Sequence, residues 1–382
     1  GYTDVIQVAV LIIGGFATVY MALQIVDQRI NHVIDGSALA GFNTLLKEAP
    51  EHFHMILEKP GPNATQEEIN KYLVLPGLSM YFAGQWIVNL NYWGCNQYIT
   101  QRALGANIQT ARTGILFAGL LKLMMPVIVM LPGIAAFVLY KNGHLPQLEG
   151  GSKDGAYSAI LSFLPSGLKG LSIAALTAAI VASLAGKVNS ISTIFTLDIF
   201  KKYIRPNADE KKMVWIGRIT ILIAMFVSVL FTWNDTLGIG GEGGFTFIQK
   251  YTGFISPGVF AMFLLGMFWK RTTGSAAIAG VICGFVLSVF FNNYAPGVLG
   301  NETILYTAYP NGKGGFEIPF LINMGWSFFF TTALMILISF SGPKINPKSF
   351  VFDKGMFAIS KSVLVLIVLT ILLLTVLYVR FW

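Results

Sequence analysis

Polar side chains recur along one stretch of the sequence that is otherwise apolar, near residues 76–99. Gln85, Asn89, Tyr92, Trp93 and Asn96 are three or four residues apart, so on a helix they share one face. Hydrogen bonds between helices in lipid are worth only about 1 kcal/mol each, and they account for one or two such groups. They account poorly for four or five, so the stripe indicates a functional polar face.

Lys122 lies inside another apolar stretch, about ten residues from the basic end of that stretch. A lysine at this depth costs on the order of 3 kcal/mol even on the most lenient insertion scale, which favours a paired or cavity-facing role. Lys187 lies nearer the end of its own stretch, where a long side chain can reach the interface. We therefore expect Lys122 to be functional and Lys187 to be structural.

Two further stretches carry oxygen and amide groups. The segment 174–198 is rich in Ala, Ser, Thr and Gly, and Ser183 offers a hydroxyl that a hard cation accepts as a ligand beside backbone carbonyls. The alternative stays open, because most serines in such helices bond their own backbone. Near 245–269, Ser256-Pro257-Gly258 predicts a break in a helix, with Gln249 as a buried amide close to it.

The elements that must position these residues are apolar blocks. The 382 residues are 54% hydrophobic and 12% charged, about half the roughly 25% charge of a soluble domain. The blocks are roughly 20 residues long, the length that a helix needs to cross a bilayer. Hydropathy predicts about nine spans, near 5–26, 76–99, 113–140, 168–199, 213–233, 245–269, 274–292, 318–340 and 361–381.

The net charge of +8 does not indicate a nucleic-acid partner, because the basic residues lie between the apolar blocks. Loops after even-numbered spans are basic and are expected in the cytoplasm, which places the intervening loops and Trp382 outside. All four histidines fall in these outward loops, and both cysteines fall in apolar blocks. Because the spans lack His and paired carboxylates, an enzyme is the least favoured function.

Several motifs occur together in order along the chain. They read YTDVIQ at 2–7, APEHFHMIL at 49–57, YWGCNQY at 92–98, NSISTIFTLD at 189–198 and YTGFISPG at 251–258. With them the chain resembles the sodium/solute symporter family, and within it the bacterial sodium/galactose and sodium/glucose type of symporter. The resemblance implies an all-α membrane protein with two inverted five-helix repeats, the leucine-transporter-like bundle, in the cell inner (plasma) membrane.

By this resemblance, residues 1–382 form a single transmembrane domain that lacks most of the first repeat. It contains the last helix of repeat one, all of repeat two and peripheral C-terminal helices. The resemblance also implies roles for individual positions. Asn89, Lys122 and Gln249 match partners of sugar hydroxyls, and Tyr92 matches an aromatic residue that stacks on the sugar as the inner gate. Trp93 neighbours that gate, and Phe245 matches an outer gate.

The resemblance implies sodium as the coupling ion. Ala179, Ala182 and Ser183 match the sodium-binding positions, and Asp4 matches a carboxylate on the sodium exit path. Relatives have two consecutive serines where this chain has Ala182-Ser183, so one oxygen ligand is missing here. The function implied is sodium-coupled symport of a sugar such as galactose or glucose by alternating access. Symport of an amino acid, nucleobase, vitamin or organic anion is one alternative, and a non-transporting sensor or a channel is another.

Overall fold

The computed structural model describes residues 2–145, 155–233 and 244–382, and these parts are mostly helical. The short helical turns include π turns at Asn91–Cys95 and Ile194–Ile204. A two-residue hairpin pairs β1, Tyr309–Pro310, with β2, Phe316–Glu317. The α-helices are α1 Tyr2–Ile30, α2 Ala38–Glu48, α3 Gln66–Val74, α4 Ser79–Phe82, α5 Gln85–Leu90, α6 Gln97–Leu104, α7 Ile108–Lys141, α8 Ala156–Ser162, α9 Ser166–Thr193, α10 Glu210–Thr232, α11 Gly244–Phe268, α12 Gly274–Asn293, α13 Ala295–Leu299, α14 Phe320–Phe340 and α15 Lys361–Phe381.

The helices long and apolar enough to cross a bilayer agree with the spans expected from hydropathy. Among the described residues eight helices qualify, and the number is nine when the bent pair Gln66–Phe82 with Gln85–Cys95 is counted as one span. The described chain forms two compact units. Unit 1 contains Gly1–His54, Gly105–Gly244 and Ser362–Phe381, and unit 2 contains Met55–Leu104, Phe245–Lys361 and Trp382. That residues 1–382 act as a single transmembrane domain stays a prediction.

The span near 76–99 is broken, where the sequence predicted one continuous helix. Its two parts meet at 82°. Close packing against α14 accounts for the break, because a Cβ on Gly84 would strike the Leu321 carbonyl oxygen, and a Cβ on Gly325 would lie 2.9 Å from the Ala83 Cα. The whole polar stripe lies after this bend, where α5 is followed by the π turn Asn91–Cys95 and then by Asn96.

The predicted break at Ser256-Pro257-Gly258 is wrong, because α11 continues through Pro257. Proline has no N–H, so the Gly253 carbonyl four residues earlier loses its helical donor. The Ser288 hydroxyl of α12 lies 3.5 Å from that carbonyl and compensates in part. A neighbouring helix thus stabilises a proline that the sequence alone marks as a breaker.

Helices α12 and α14 pack closely and antiparallel. Asn323 Nδ2 donates to Asn292 Oδ1 at 3.0 Å, a Cβ on Gly284 would lie 3.3 Å from the Thr331 hydroxyl, and Gly280 packs on Met335. Each step of four residues back along α12 corresponds to a step of four residues forward along α14. The small-residue faces of the two antiparallel helices therefore stay in contact along their length. Gly280 and Gly284 thus form a small-xxx-small face that allows close helix packing.

In unit 1, the first helix packs against α7 and α9. The Gly15 position lies against Ile128 of α7, and the Thr18 hydroxyl lies 3.4 Å from the Ser172 hydroxyl of α9. An apolar core near the C-terminal ends of α1 and α7 includes Val26 and Leu139, both fully buried. These contacts hold in place the helices that carry Lys122 and Ser183.

Candidate functional site

The segment that carries Tyr92 and Trp93 is not regular helix. Helix α5 passes into the π turn Asn91–Cys95, and Asn96 then adopts an extended backbone. The Asn96 side chain accepts a hydrogen bond from the Tyr98 N–H at 3.0 Å, so it caps the start of α6. Asn96 thus belongs to the end of the polar stripe and stabilises local backbone.

Tyr92 presents an aromatic surface. Its side chain is 42% exposed in the described chain. The rings of Tyr92 and Trp93 meet edge to face, with centroids 5.8 Å apart. One turn earlier, Asn89 Nδ2 donates to the Gln85 carbonyl at 2.9 Å, which orients the Asn89 amide along the helix. An oriented amide and a half-exposed ring within one turn of each other are suited to a ligand that has both hydroxyls and an apolar face.

Gln249 lies on α11 in the same unit and is half-buried. The next residue, Lys250, pairs with Glu317 at 3.7 Å. Helix α11 is connected to the π turn by a hydrogen bond from Asn91 Nδ2 to Ser256 Oγ at 3.1 Å. The structure therefore packs the helix that carries Gln249 against the segment that carries Tyr92. Phe245 lies in the first turn of α11, and its side chain is outside the described part of the chain.

The residues predicted to bind sodium lie on α9 in unit 1. Ala179, Ala182 and Ser183 are spaced so that they share one face of this helix. Ala179 and Ala182 are half-buried and Ser183 is exposed. Of these three residues, Ser183 alone has a side-chain oxygen, its hydroxyl. Asp4 lies in the first turn of α1, and its side chain is likewise outside the described part.

Lys122 lies on α7, 14 residues after the helix begins at Ile108. At 1.5 Å per residue this places it about 21 Å along the helix, deep within the span. Its side chain is exposed on the surface of the described chain, as is that of Lys187 on α9. The depth of Lys122 in the membrane and its role in binding stay predictions.

Two residues beside this segment were not predicted as a functional pair. The sequence predicted Ser256 only as part of a helix-breaking motif, and Asn91 lies off the polar stripe. A signal was nevertheless present, since Asn91 is a further amide in an apolar span. No spacing rule connects it to a serine 165 residues away.

The fold and these sites define a multi-pass helical membrane protein with polar side chains on an interrupted helix. A sequence model of the sodium:solute symporter family matches residues 1–284. The chain belongs to this family. Its members are transporters of the plasma membrane rather than enzymes, which confirms the class, the location and the non-enzymatic nature expected from the sequence.

Individual relatives are similar along much or all of the chain. The Sodium/glucose cotransporter of Vibrio parahaemolyticus is 38% identical over 395 residues, which cover 100% of this chain and 66% of the relative. The human Sodium/myo-inositol cotransporter 2 is 31% identical over 301 residues, covering 75% of this chain and 43% of the relative. The chain thus spans 66% or less of the length of these two relatives.

A solved structure shares the fold. It is a substrate-bound, outward-open Na+-coupled sialic acid symporter, with a TM-score of 0.65 and 18% identity, and the match covers 91% of this chain and 64% of that one. The likeness confirms the expected fold class, an all-α membrane protein of the leucine-transporter type.

Proposed function

We propose that this chain carries the solute-binding and sodium-binding residues of a sodium-driven sugar symporter that works by alternating access. The observation that carries the proposal is the broken span of unit 2, in which Asn89 lies on α5 after the break and the half-exposed Tyr92 lies in the irregular π turn that follows. Irregular backbone at membrane depth is tolerated where it lines a cavity, and in secondary transporters it forms the binding site. The similarity to a sodium/glucose cotransporter along the whole chain supports a hexose as the solute.

The proposed roles follow the chemistry of each group. Asn89 and Gln249 hydrogen-bond sugar hydroxyls, Lys122 adds a charged donor, and Tyr92 stacks on the apolar face of the sugar as the inner gate. Trp93 supports the Tyr92 ring, with which it makes an edge-to-face contact. Phe245 closes the outer side. Neutral amides and one ammonium group suit a neutral ligand that has many hydroxyls.

Sodium is the second substrate. The α9 face with Ala179, Ala182 and Ser183 contributes the Ser183 hydroxyl and nearby backbone carbonyls as oxygen ligands, and Asp4 lies on the exit path. Sodium binding favours the outward-open state in which the sugar site is formed, and its release to the cytoplasm loosens Tyr92. Because Ala182 has no hydroxyl, we expect weaker sodium binding than in relatives with serine there.

A second candidate is a sodium symporter of the same mechanism with a different solute. Similarity to a sodium/myo-inositol cotransporter favours a cyclic polyol, which offers hydroxyls to the same amides. The fold is shared with a sialic acid symporter, and the ammonium of Lys122 suits an acidic sugar. A channel or a sensor has no comparable support, because no relative described above is of that kind.

Uptake into proteoliposomes that contain the full-length protein tests the proposal. We expect labelled galactose or glucose to accumulate when sodium is outside, and not when potassium replaces it. Unlabelled galactose, glucose, myo-inositol and sialic acid are then compared as competitors. Sodium-dependent uptake inhibited best by myo-inositol or sialic acid would establish the second candidate instead. Uptake that is the same with sodium and with potassium outside would contradict both candidate functions.

A further inference from the structure

The π turn that carries Tyr92 is connected to α11 by a directed chain of hydrogen bonds. The Ser256 hydroxyl donates its one hydrogen to the Thr252 carbonyl at 2.9 Å. Its oxygen is therefore left to accept from Asn91 Nδ2, at 3.1 Å. The chain runs from Asn91 through Ser256 to the backbone of α11, and all of these groups belong to unit 2.

The α11 end of this chain is rigid. Ser256 is 1% exposed, and just beyond it a Cβ on Gly258 would lie 2.9 Å from the Gly280 carbonyl oxygen of α12. The backbones of α11 and α12 are thus in direct contact near Gly258, and a change of side-chain rotamer cannot relieve this contact. Ser256 is held at a fixed point of a closely packed helix pair.

The other end is irregular and less deeply buried. The π turn Asn91–Cys95 interrupts the regular helical hydrogen-bond pattern, and Asn96 beyond it is extended. A Cβ on Gly94 would meet nothing within 4 Å. From Tyr92 to Cys95 every side chain is half-buried or exposed. A hydrogen bond from Asn91 therefore joins a rigid helix to a segment of irregular backbone.

Aromatic packing fixes the start of the same segment. The Trp86 ring lies 5.6 Å from the ring of Phe260 on α11 and 5.2 Å from that of Phe328 on α14. Asn91 is five residues further along the chain and directly precedes Tyr92. It is thus a second attachment point, placed directly before the aromatic pair Tyr92 and Trp93.

The Asn91 amide oxygen is buried without a hydrogen-bond partner among the described residues, as is the Ser327 hydroxyl, so this feature does not distinguish a positioning role from packing. The placement of the contact is more informative. Gln249 precedes Ser256 by seven residues, two helical turns or about 10 Å, on the same face of α11. Asn91 thus contacts the face that carries Gln249.

We propose that the Asn91–Ser256 hydrogen bond is a positioning contact, which holds the Tyr92-bearing π turn in register with the Gln249 face of α11. Its importance for solute binding rests on the proposed function, whereas its effect on the π turn does not. Breaking the contact frees the turn and misplaces the Tyr92 ring, while the groups that touch the solute remain.

Cys95, at the end of the π turn, reports on this freedom without any solute. In the full-length protein with its other cysteines replaced, including Cys283→Ala, the rate of thiol labelling at Cys95 is measured. We expect Asn91→Leu and Ser256→Ala each to accelerate labelling about fivefold, the factor for one buried hydrogen bond. The double variant is expected to label no faster than either single variant, since both remove the same contact.

The matched control is Ser327→Ala on α14. Ser327 is also fully buried, but its hydroxyl has no hydrogen-bond partner among the described residues, so its removal breaks no described hydrogen bond. We expect labelling of Cys95 to stay at the parent rate in this variant. Acceleration by Ser327→Ala equal to that by Ser256→Ala would show a general loosening and overturn the proposal. Unchanged rates in Ser256→Ala, or factors that multiply in the double variant, would overturn it equally.

Transport kinetics supply the second readout. In Ser256→Ala we expect the apparent KM for the transported solute to rise about fivefold with little change in maximal rate, because the ring that stacks on the solute is less ordered. Ser256→Thr retains the hydroxyl and should restore the parent KM. Accelerated labelling with an unchanged KM would contradict the positioning role in binding. A parent protein that fails to transport any sugar would contradict the proposed function, and the labelling result would still decide whether the contact positions the turn.

Discussion

Two helix faces rich in small residues have opposite surroundings in this molecule. In unit 2, the facing surfaces of α12 and α14 bring Gly284 against Thr331, and Ser288 and Ser327 are at most 2% exposed. In unit 1, the α9 face with Ala182 and Ser183 is half-buried or exposed. The two faces have similar composition, so composition does not distinguish a closely packed helix face from an open one.

The polar side chains on the two kinds of face are paired differently. On exposed helix faces hydroxyls donate to their own backbone, as Thr177 does to the Ile173 carbonyl and Ser228 to that of Ala224. Across the buried helix pair, the Asn323 amide donates to Asn292 of the neighbouring helix. Burial alone does not decide the partner, because the buried Ser256 hydroxyl also donates to its own helix, at the Thr252 carbonyl. Substitutions on the two faces should differ accordingly.

The largest effect is expected from Gly284→Ala. The added methyl group would lie 2.5 Å from the Gly258 Cα, and contact with backbone cannot be relieved by a rotamer change. Overpacking of this kind costs about 1–3 kcal/mol or more, so the thermal unfolding temperature in detergent should fall and transport should fail with it. Gly266→Ala on α11 is the control, since nothing lies within 4 Å of its Cβ position. Equal destabilisation by the two changes would show that the close packing is not the cause.

Gln249→Ala should act on binding rather than on folding. Leaving a partner group unsatisfied costs about 1–3 kcal/mol, so sugar uptake should fall roughly ten- to hundredfold while the protein still inserts. Ile255→Ala, at a 57% exposed position of the same helix, should leave uptake unchanged. The measurement is initial sugar uptake at equal protein density. Full uptake by Gln249→Ala would exclude its role as a sugar partner.

Substitutions on the α9 face should change sodium dependence without loss of folding. A hydrogen bond or ligand contact to a charged group is worth about 1.5–3 kcal/mol, so Ser183→Ala should raise the sodium concentration for half-maximal uptake more than tenfold. Ala182→Ser supplies an additional oxygen and should lower it. Ser228→Ala, whose hydroxyl bonds its own helix, serves as the control. If Ser183→Ala leaves sodium dependence unchanged, the cation site does not lie on this face.

The smallest effect is expected from the lysines. Lys122→Ala should reduce uptake about tenfold, the loss expected when a charged donor to the solute is removed. Lys187→Ala should change uptake much less, because its position allows the side chain to reach the interface. Both side chains are exposed in the described chain, which makes them a matched pair. Equal losses would favour a general structural role for both.

The sequence alone was sufficient to determine the spans and the family. Hydropathy located the eight long apolar helices of the described residues because a membrane helix must be apolar over a length that the bilayer sets, a property local to each segment. The pairing of Gly280 and Gly284 with a close neighbour could be predicted for the same local reason. Motifs such as YWGCNQY identified the family that the comparisons confirm. The assignment of Asn89, Lys122 and Gln249 to a sugar site remains a prediction.

Tertiary structure decided where the helices break and which polar groups meet. Pro257 marked a break that does not occur, because α12 supplies a hydroxyl to the freed carbonyl and packs against the next turn. The break lies instead at Ala83–Gly84, where α14 approaches the backbone. Asn91 and Ser256 are 165 residues apart in sequence, and only packing brings them within 3.1 Å. Hydropathy depends on one segment at a time, whereas breaks and interhelical hydrogen bonds depend on the neighbour that a segment meets.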